Sequence, residues 1–309
     1  MGKFEFKVPE KRRIRVIVHT DCKNEADDQF ALAHHLMTPK FDVRGIIAGH
    51  FAANTFMYPK GTTATASYDE VLRVLELMGL KDKYNVYLGS QFPIEDEHTS
   101  IESEGAKFII QEALSNDPRP LFAVFQGAIT DLACAYLMEP SIANRLTAIW
   151  IGGGEYPNGG SEFNLYNDIN AANVVFCSDI PLWQVPKNVY KQMAVTLTEL
   201  QVRVAPYGKI GRYLFDQMVA FNEKLGDIGG DWPHGESWGL GDQATVTLLL
   251  EEMQRMNYTW VPAPRISSEM FYIHGQNNRP IRVYHTLDTR MTMEDFYAKL
   301  QLLYPEEDS

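Results

Sequence analysis

Short apolar runs alternate with amphipathic segments along the first two thirds of the chain. The apolar runs are typical of strands buried on both faces: Ile14–Thr20, Val43–Gly49, Tyr84–Leu88, Leu121–Phe125, Ala148–Gly152 and Leu182–Val185. The segments between them have the spacing of helices: Asp27–Met37, Thr65–Met78, Ile101–Leu114, Asp131–Met138 and Ala171–Cys177. This alternation predicts an α/β fold of the Rossmann-like kind, with a mostly parallel central sheet and helices on both faces.

The last third of the chain is less regular. The pattern predicts a helix over Val202–Leu225, a loop rich in glycine and tryptophan over Gly226–Gly241, a helix over Asp242–Met256, a strand over Arg282–Asp288 and a helix over Met293–Leu303. No repeat or linker divides the sequence. We therefore expect residues 1–309 to form a single α/β domain.

Composition narrows the possible partners and the compartment. The formal net charge of -12 argues against binding to a nucleic-acid polymer or an anionic membrane, and no apolar run approaches membrane-spanning length. Cys22, Cys134 and Cys177 are far apart and odd in number, which indicates free thiols in a reducing compartment. Because the charged segment Met1–Arg15 lacks the apolar core of a signal peptide, we expect a cytoplasmic protein.

Polar residues or glycines follow several of the predicted strands. Asp21 comes after the first strand, Asn54 after the second, Thr130 after the fourth and Gly152–Gly154 after the fifth. Parallel sheets bind ligands at the carboxyl ends of their strands. The sequence therefore predicts a binding site at this edge of the sheet.

Three aspartates gather where the first strand turns into the first helix. Asp21 ends the strand, and Asp27 and Asp28 open the helix. A single aspartate there would be explained by helix capping and the helix dipole, without a metal. Three carboxylates so close together repel one another, and a hard divalent cation with oxygen ligands offsets that repulsion. Both interpretations remain open from the residue pattern alone.

The order of several motifs resembles the inosine-uridine nucleoside hydrolases. The matching segments are Thr20-Asp21 with Asp27-Asp28, the loop Gln126–Ala133, the segment from Gly152-Gly153-Gly154 through Asn158 to Glu162-Phe163-Asn164, and Asp242 at a late helix start. Together they extend roughly from Ile14 to Glu251. This order is far more specific than any one motif.

The resemblance implies a set of metal and sugar ligands. Ca²⁺ would be held by Asp21, Asp28, Asp242 and the backbone carbonyl of Thr130, and Asp21 would also accept the proton of the attacking water. The ribose would contact Asp27, Glu162 and Asn164, with Asn158 near the sugar. Asn54 would supply a further ribose contact, although His50 competes for that position.

The activity implied by the resemblance is calcium-dependent hydrolysis of a ribonucleoside or related N-riboside to base and ribose. Cleavage of an N-glycosidic bond builds positive charge on the sugar, which the surrounding carboxylates would stabilise. Calcium would fix the diol and lower the pKa of the attacking water. The resemblance also implies a small-molecule nucleoside substrate, a role in purine or pyrimidine salvage, and a homodimer or homotetramer.

The chain departs from the family pattern at three places. The first aspartate of the first motif is His19. The turn from Asp21 to Asp27 is two residues longer than usual, so Lys23 and Glu25 could reach the site. The histidine that precedes the last metal aspartate is Gly241, and in much of the family this histidine helps to protonate the leaving base.

The loop before Asp242 offers substitutes for the missing histidine. His234 or Glu236 could donate a proton, and Trp232 or Trp238 could stack on a nucleobase. The alternative is that both tryptophans pack the loop against the core. The altered loop also leaves open hydrolysis of another glycoside or of a modified nucleoside, or a calcium-dependent sugar-binding protein without turnover.

Overall fold

The computed structural model of the chain describes residues 4–54, 57–228, 235–251, 256–275 and 277–306. Its strands, in chain order, are β1 (Ile14–Thr20), β2 (Phe41–Ala48), β3 (Val86–Leu88), β4 (Leu121–Phe125), β5 (Thr147–Ile151), β6 (Leu182–Val185), β7 (Ala194–Thr196), β8 (Ser237–Gly239), β9 (Tyr258–Pro262), β10 (Arg265–Ile266), β11 (Tyr272–Ile273) and β12 (Pro280–Tyr284). Its α-helices are α1 (Asp28–Met37), α2 (Thr63–Leu77), α3 (Glu104–Ala113), α4 (Thr130–Met138), α5 (Phe163–Asn167), α6 (Ile169–Cys177), α7 (Lys187–Tyr190), α8 (Leu197–Arg203), α9 (Gly208–Ile228), α10 (Gln243–Leu250) and α11 (Thr289–Leu303). Short 3-10 helices cover Glu10–Arg12 and Pro140–Asn144.

The central sheet has eight strands in the order β3-β2-β1-β4-β5-β6-β12-β9. All neighbouring strands are parallel except β12 and β9, which are antiparallel. Two small antiparallel pairs, β7 with β8 and β10 with β11, lie outside this sheet. The predicted α/β fold with a mostly parallel sheet is therefore confirmed.

Helices cover the sheet on both faces. Successive side chains of a strand point to opposite faces, so each buried strand contributes to two cores. Val16 and Val18 of β1 belong to one core, which also contains residues of α1, α2, α9, α10 and α11. Ile17, between them, belongs to the other core, with residues of α3, α4 and α6. This alternation is the reason that β1 reads as an uninterrupted apolar run.

The predicted long helix over Val202–Leu225 is wrong. Helix α8 ends at Arg203, and α9 begins only at Gly208, whose φ is 61°. Pro206 lies between them and has no backbone N–H to continue a helix. The predicted helix Asp242–Met256 ends as α10 at Leu250, because Glu251 has extended backbone angles. Strand β9, the antiparallel edge strand, was not predicted.

The three cysteines are unpaired, as expected, with Cys22 and Cys134 buried and Cys177 exposed. Within the described part of the chain, no helix combines the length and the apolar character needed to cross a bilayer.

Candidate active site

Four buried aspartates meet at the carboxyl end of the sheet. Asp21 follows β1, Asp27 is the N-cap of α1, Asp28 is the first residue of α1, and Asp242 is the N-cap of α10. Their exposed fractions are between 2% and 7%. Carboxylate oxygens of Asp27, Asp28 and Asp242 lie within 4.8 Å of one another, and Asp21 interacts electrostatically with Asp28.

Neighbouring groups fix the orientation of these carboxylates. The Thr20 hydroxyl donates a short hydrogen bond to Oδ1 of Asp28, and the backbone N–H of Asp242 donates to Oδ2 of Asp27 over 3.4 Å. Gly127, in the loop after β4, must be glycine because a Cβ there would lie 2.5 Å from Cγ of Asp21. Oδ2 of Asp21 is buried and has no hydrogen-bond partner among the described residues.

The electrostatics of the cluster are unfavourable for four ionised groups. Burial raises the pKa of Asp28 to about 6, although the hydrogen bond from Thr20 lowers it in part. Burial, together with the charge of Asp28, raises the pKa of Asp27 to about 7. Burial and neighbouring carboxylates raise the pKa of both Asp21 and Asp242 well above 3.8. A positive charge at this place would relieve these penalties.

The donor set fits a hard divalent cation. All the groups are carboxylate oxygens, the type of ligand that Ca²⁺ and Mg²⁺ take. Oδ2 of Asp21 supplies an oxygen that no group of the described residues uses. Helix capping alone does not account for the cluster, because neither Asp27 nor Asp242 makes a side-chain capping hydrogen bond to its own helix.

The cluster lies in a cavity of about 470 Å³. Its polar lining consists of carboxylates and amides: Asp21, Glu25, Asp27, Asp28, Glu162, Asp242, Asn24, Asn54, Gln126 and Asn164. Its apolar and aromatic lining is Met57, Ile151, Phe163, Tyr190, Phe221 and Leu225. Lys187, Lys191, Gly239 and Gly241 complete it. The cavity therefore combines a charged side with an apolar side, as a site for a sugar joined to a flat base would require.

Three of the predicted ribose ligands line this cavity besides Asp27. The Asn54 side chain donates to Oδ1 of Asn24 over 3.1 Å, and its own buried Oδ1 has no partner among the described residues. The Asn164 side chain donates to the carbonyl oxygens of Gln126 and Ile151 at the ends of β4 and β5. Glu162 caps α5 and accepts from the backbone N–H groups of Asn164 and Leu165.

Two predicted ligands lie elsewhere. Asn158 is exposed and does not line the cavity, and its carbonyl accepts from the N–H of Tyr272. Thr130 is not among the lining residues, and its hydroxyl contacts His50 at 2.8 Å and Asp168 at 2.7 Å. These contacts involve the side chain, so the role of its backbone carbonyl as a metal ligand stays a prediction. The residue of this loop that lines the cavity is Gln126. His50, which competed with Asn54 for the ribose contact, is buried behind the site in that contact with Thr130.

The unusual residues of the first motif have separate roles. His19 lies 3.0 Å from the carboxylate of Asp131, and both side chains are buried. Lys23 is not among the residues that line the cavity and pairs with Glu70 over 3.2 Å. Glu25 does line the cavity, where burial and then the charges of Asp27 and Asp28 raise its pKa. The longer turn thus adds one carboxyl group to the site.

Of the predicted residues in the loop before Asp242, the structure describes Trp238 and Glu236, and neither lines the cavity. Trp238 is only 2% exposed and does not line the cavity, since its ring packs against Phe221 with centroids 5.7 Å apart. Glu236 is exposed and also lies outside the lining. His234 and Trp232 fall outside the described residues. The packing interpretation is therefore the one that applies to Trp238.

Phe221 and Leu225 line the cavity and were missed by sequence reasoning. They are four residues apart on α9 and so share one helix face. Their spacing could have suggested a common face, but a periodic pattern does not tell which neighbour that face covers.

Tyr190 is another lining residue that the sequence did not suggest. It ends α7, and its hydroxyl donates to Oε1 of Glu162 over 2.8 Å. Burial, and then the charge of Glu162, raise the pKa of Tyr190 well above 10, so its hydroxyl keeps its proton. The ring lies beside Gly241, the position where the family histidine is missing.

Comparison with known proteins relates the chain to one family. The family model described as Inosine-uridine preferring nucleoside hydrolase matches residues 16–299. Probable uridine nucleosidase 2 of Arabidopsis thaliana is 27% identical over 225 residues, which cover 65% of this chain and 68% of that protein. Pyrimidine-specific ribonucleoside hydrolase RihB of Escherichia coli (strain SE11) is 25% identical over 231 residues, covering 70% and 72%.

Solved structures show the same fold. The Purine-Preferring Ribonucleoside Hydrolase from Gardnerella vaginalis superimposes with a TM-score of 0.74 over 94% of this chain and 99% of that chain, at 17% identity. At this level of identity the likeness establishes the fold and not the substrate.

Proposed function

The chain belongs to the family of inosine-uridine preferring nucleoside hydrolases, and we propose that it hydrolyses a ribonucleoside or related N-riboside to base and ribose with the help of bound Ca²⁺. The family cleaves N-glycosidic bonds and is metal-dependent. The observation that supports the proposal is the buried aspartate cluster in the cavity, with its unpartnered Asp21 oxygen.

Asp21, Asp28 and Asp242 would hold the cation. We keep the backbone carbonyl of Thr130 as the fourth protein ligand, and the buried side-chain oxygen of Gln126, which lines the cavity, is the alternative. When bound, calcium supplies a template for the sugar diol and lowers the pKa of the attacking water.

The chain's own groups would then carry the reaction. Water forms a bond to C1′ of the sugar, and the bond from C1′ to the base breaks with its electron pair going to the base. Oδ2 of Asp21 accepts the proton of the water. Asp27, Glu162 and the other carboxylates stabilise the positive charge that develops on the ring, and Asn54 and Asn164 orient the sugar hydroxyls.

The apolar side of the cavity would receive the base. Phe163 and Phe221 offer aromatic surface for stacking, and Met57 and Leu225 extend this wall. The relatives are named for uridine, pyrimidine and purine substrates, so family membership does not select the base. We keep His234 as the proposed proton donor to the base, and we set Glu236 aside because its side chain is exposed and outside the lining.

The proposal is tested by incubating the protein with inosine, adenosine, guanosine, uridine, cytidine and p-nitrophenyl ribofuranoside, followed by a reducing-sugar assay. Each reaction is run with Ca²⁺ and after chelation. We expect release of ribose from at least one compound and loss of that activity on chelation. No release from any compound in the presence of Ca²⁺ would contradict the proposal. A predicted homodimer or homotetramer is checked on the same sample by sedimentation.

A further inference from the structure

Tyr190 and Gly241 compete for one space in the cavity. A Cβ built on Gly241 would lie 2.8 Å from Cδ2 of Tyr190, 3.4 Å from Cε2 and 3.5 Å from Cγ. The backbone of Gly241 lies outside the left-handed region that favours glycine. Glycine is therefore required at 241 by the approach of the tyrosine ring and not by the backbone.

The hydroxyl of Tyr190 completes the set of donors around Glu162. The backbone N–H groups of Gly153 and Leu165 donate to Oε2, at 2.8 Å and 2.9 Å. The backbone N–H of Asn164 donates to Oε1 over 3.1 Å, and the Tyr190 hydroxyl donates to the same oxygen over 2.8 Å. Three of these donors are backbone groups, which side-chain substitutions other than proline leave in place, so Tyr190 is the one side chain among the four.

Tyr190 therefore joins the two sides of the site. Its hydroxyl reaches Glu162 at the start of α5, and its ring covers Gly241, the residue next to Asp242. The hydroxyl oxygen has acceptor capacity left, because its proton is given to Glu162. A sugar hydroxyl entering the cavity can donate to this oxygen.

We propose that Tyr190 is a positioning and specificity-determining residue, whose hydroxyl orients Glu162 and receives a substrate hydroxyl and whose ring closes the cavity wall at Gly241. The inference rests on the proposed function for the identity of the substrate. The steric half of the inference, in which the Tyr190 ring excludes a side chain at position 241, does not depend on any activity. A histidine at 241 and a tyrosine at 190 exclude each other in this arrangement.

The steric half is tested by a double-mutant cycle on thermal stability. We expect Gly241→Ala to lower the Tm in the wild-type background, and to lower it much less, or not at all, in a Tyr190→Ala background. Gly239→Ala is the matched control, because a Cβ at this neighbouring lining glycine meets nothing within 4 Å. Equal losses from Gly241→Ala in both backgrounds would overturn the steric half.

The hydroxyl is tested with Tyr190→Phe, which keeps the ring. We expect KM for the best riboside of the panel to rise about 3- to 10-fold while kcat changes less, since the neutral hydrogen bond from a substrate hydroxyl to the Tyr190 oxygen is lost. Tyr190→Ala should also change the ratio of kcat/KM between bulky and small leaving groups by roughly tenfold. Tyr166→Phe, on the exposed side of α5, is the matched control.

Two outcomes separate this inference from the proposed function. If the wild type is active and Tyr190→Phe has unchanged KM and kcat, the positioning role is wrong although the function stands. If the wild type is inactive on the panel, binding of D-ribose is measured by calorimetry in the presence of Ca²⁺. Weaker ribose binding by Tyr190→Phe than by Tyr166→Phe would then support the inference, and equal binding would overturn it.

Discussion

A ring nitrogen of His34 lies 2.7 Å from the side-chain oxygen of Gln243, which joins α1 to α10. Gln243 directly follows Asp242, and His34 is on the same helix as Asp28. The other ring nitrogen of His34 lies 2.8 Å from Asp295 of α11. One buried imidazole therefore connects the two helices whose first residues carry the acidic cluster.

This connection predicts that a substitution at Gln243, which is not a proposed metal ligand, lowers the affinity of the site for Ca²⁺. Gln243→Ala removes one of the two partners of His34 and should loosen the position of Asp242 relative to Asp28. We expect Ca²⁺ affinity to fall about 10- to 100-fold, the usual effect of an outer hydrogen-bond partner. Calorimetric titration measures this, with the exposed Gln111→Ala as control. Unchanged affinity would show that the helices hold their alignment without this contact.

Calcium should stabilise the folded protein. The raised pKa values of the aspartates show that their negative charges are costly when unpaired, and a bound cation removes that cost. At a Ca²⁺ concentration 100 times the Kd we expect ~2.7 kcal/mol of added stability, seen as a higher Tm. Asp28→Asn should lose most of this increase, and the exposed Asp82→Asn should keep it. A Tm that is insensitive to both Ca²⁺ and chelator would contradict calcium binding.

Asp21→Asn should separate hydrolysis from binding. Asparagine keeps an oxygen ligand but cannot accept the proton of the attacking water. We expect kcat to fall about 10²- to 10⁴-fold, with a much smaller change in ribose binding, measured by calorimetry. Turnover close to that of the wild type would show that another group is the base.

Alanine substitutions at Trp238 and Phe221 should affect different properties, although the two rings are in contact. Trp238→Ala should lower the free energy of unfolding by about 3–5 kcal/mol, because it empties a buried site. Phe221→Ala should instead raise KM and change base preference across the nucleoside panel, because Phe221 faces the cavity. Denaturant unfolding and steady-state kinetics on both variants distinguish them. If Trp238→Ala had normal stability and an altered base preference, Trp238 would be a substrate contact and not a packing residue.

The buried His35 should make the fold acid-sensitive. Burial lowers the pKa of His35 from 6.5 to about 3. Below pH 6.5 the unfolded chain takes up a proton at this residue that the folded protein does not take up until about pH 3. This contribution to stability is therefore complete above pH 6.5 and falls, by up to about 1.4 kcal/mol per pH unit, as the pH is lowered through that window.

Unfolding measured between pH 7 and pH 4 tests this expectation. His35→Leu should show a shallower loss of stability than the wild type, and the exposed His98→Gln should show the wild-type slope. Identical slopes for all three proteins would mean that other groups control the acid response.

Sequence reasoning succeeded where local chemistry decides the structure. Strands β1, β4 and β6 have the predicted bounds, because strands buried on both faces are continuous apolar runs. Asp21, Asp27 and Asp28 were singled out from a strand end and a helix start, and Asp242 from the resemblance. Carboxylate oxygens of Asp27, Asp28 and Asp242 do lie together, and the resemblance to the nucleoside hydrolases is confirmed.

It failed where a side chain's surroundings come from distant parts of the chain. The hydroxyl of Thr130 contacts His50 and Asp168, which are 80 and 38 positions away in the chain, and the sequence does not place them beside it. Tyr190 and Phe221 reach the cavity from helices with no motif of their own. Trp238 carries the right chemistry for stacking but faces the core.

The 215 positions between Asp27 and Asp242 have a consequence for how the protein is made. At about 5–20 residues per second, a ribosome needs roughly 10–40 s to add the second aspartate-bearing helix after the first. Throughout that interval Asp21, Asp27 and Asp28 lack Asp242 and α10, which complete the cluster in the folded protein. The cation site therefore forms late in synthesis, when α10 docks on α1, and ion capture is coupled to the final steps of folding and not to the first.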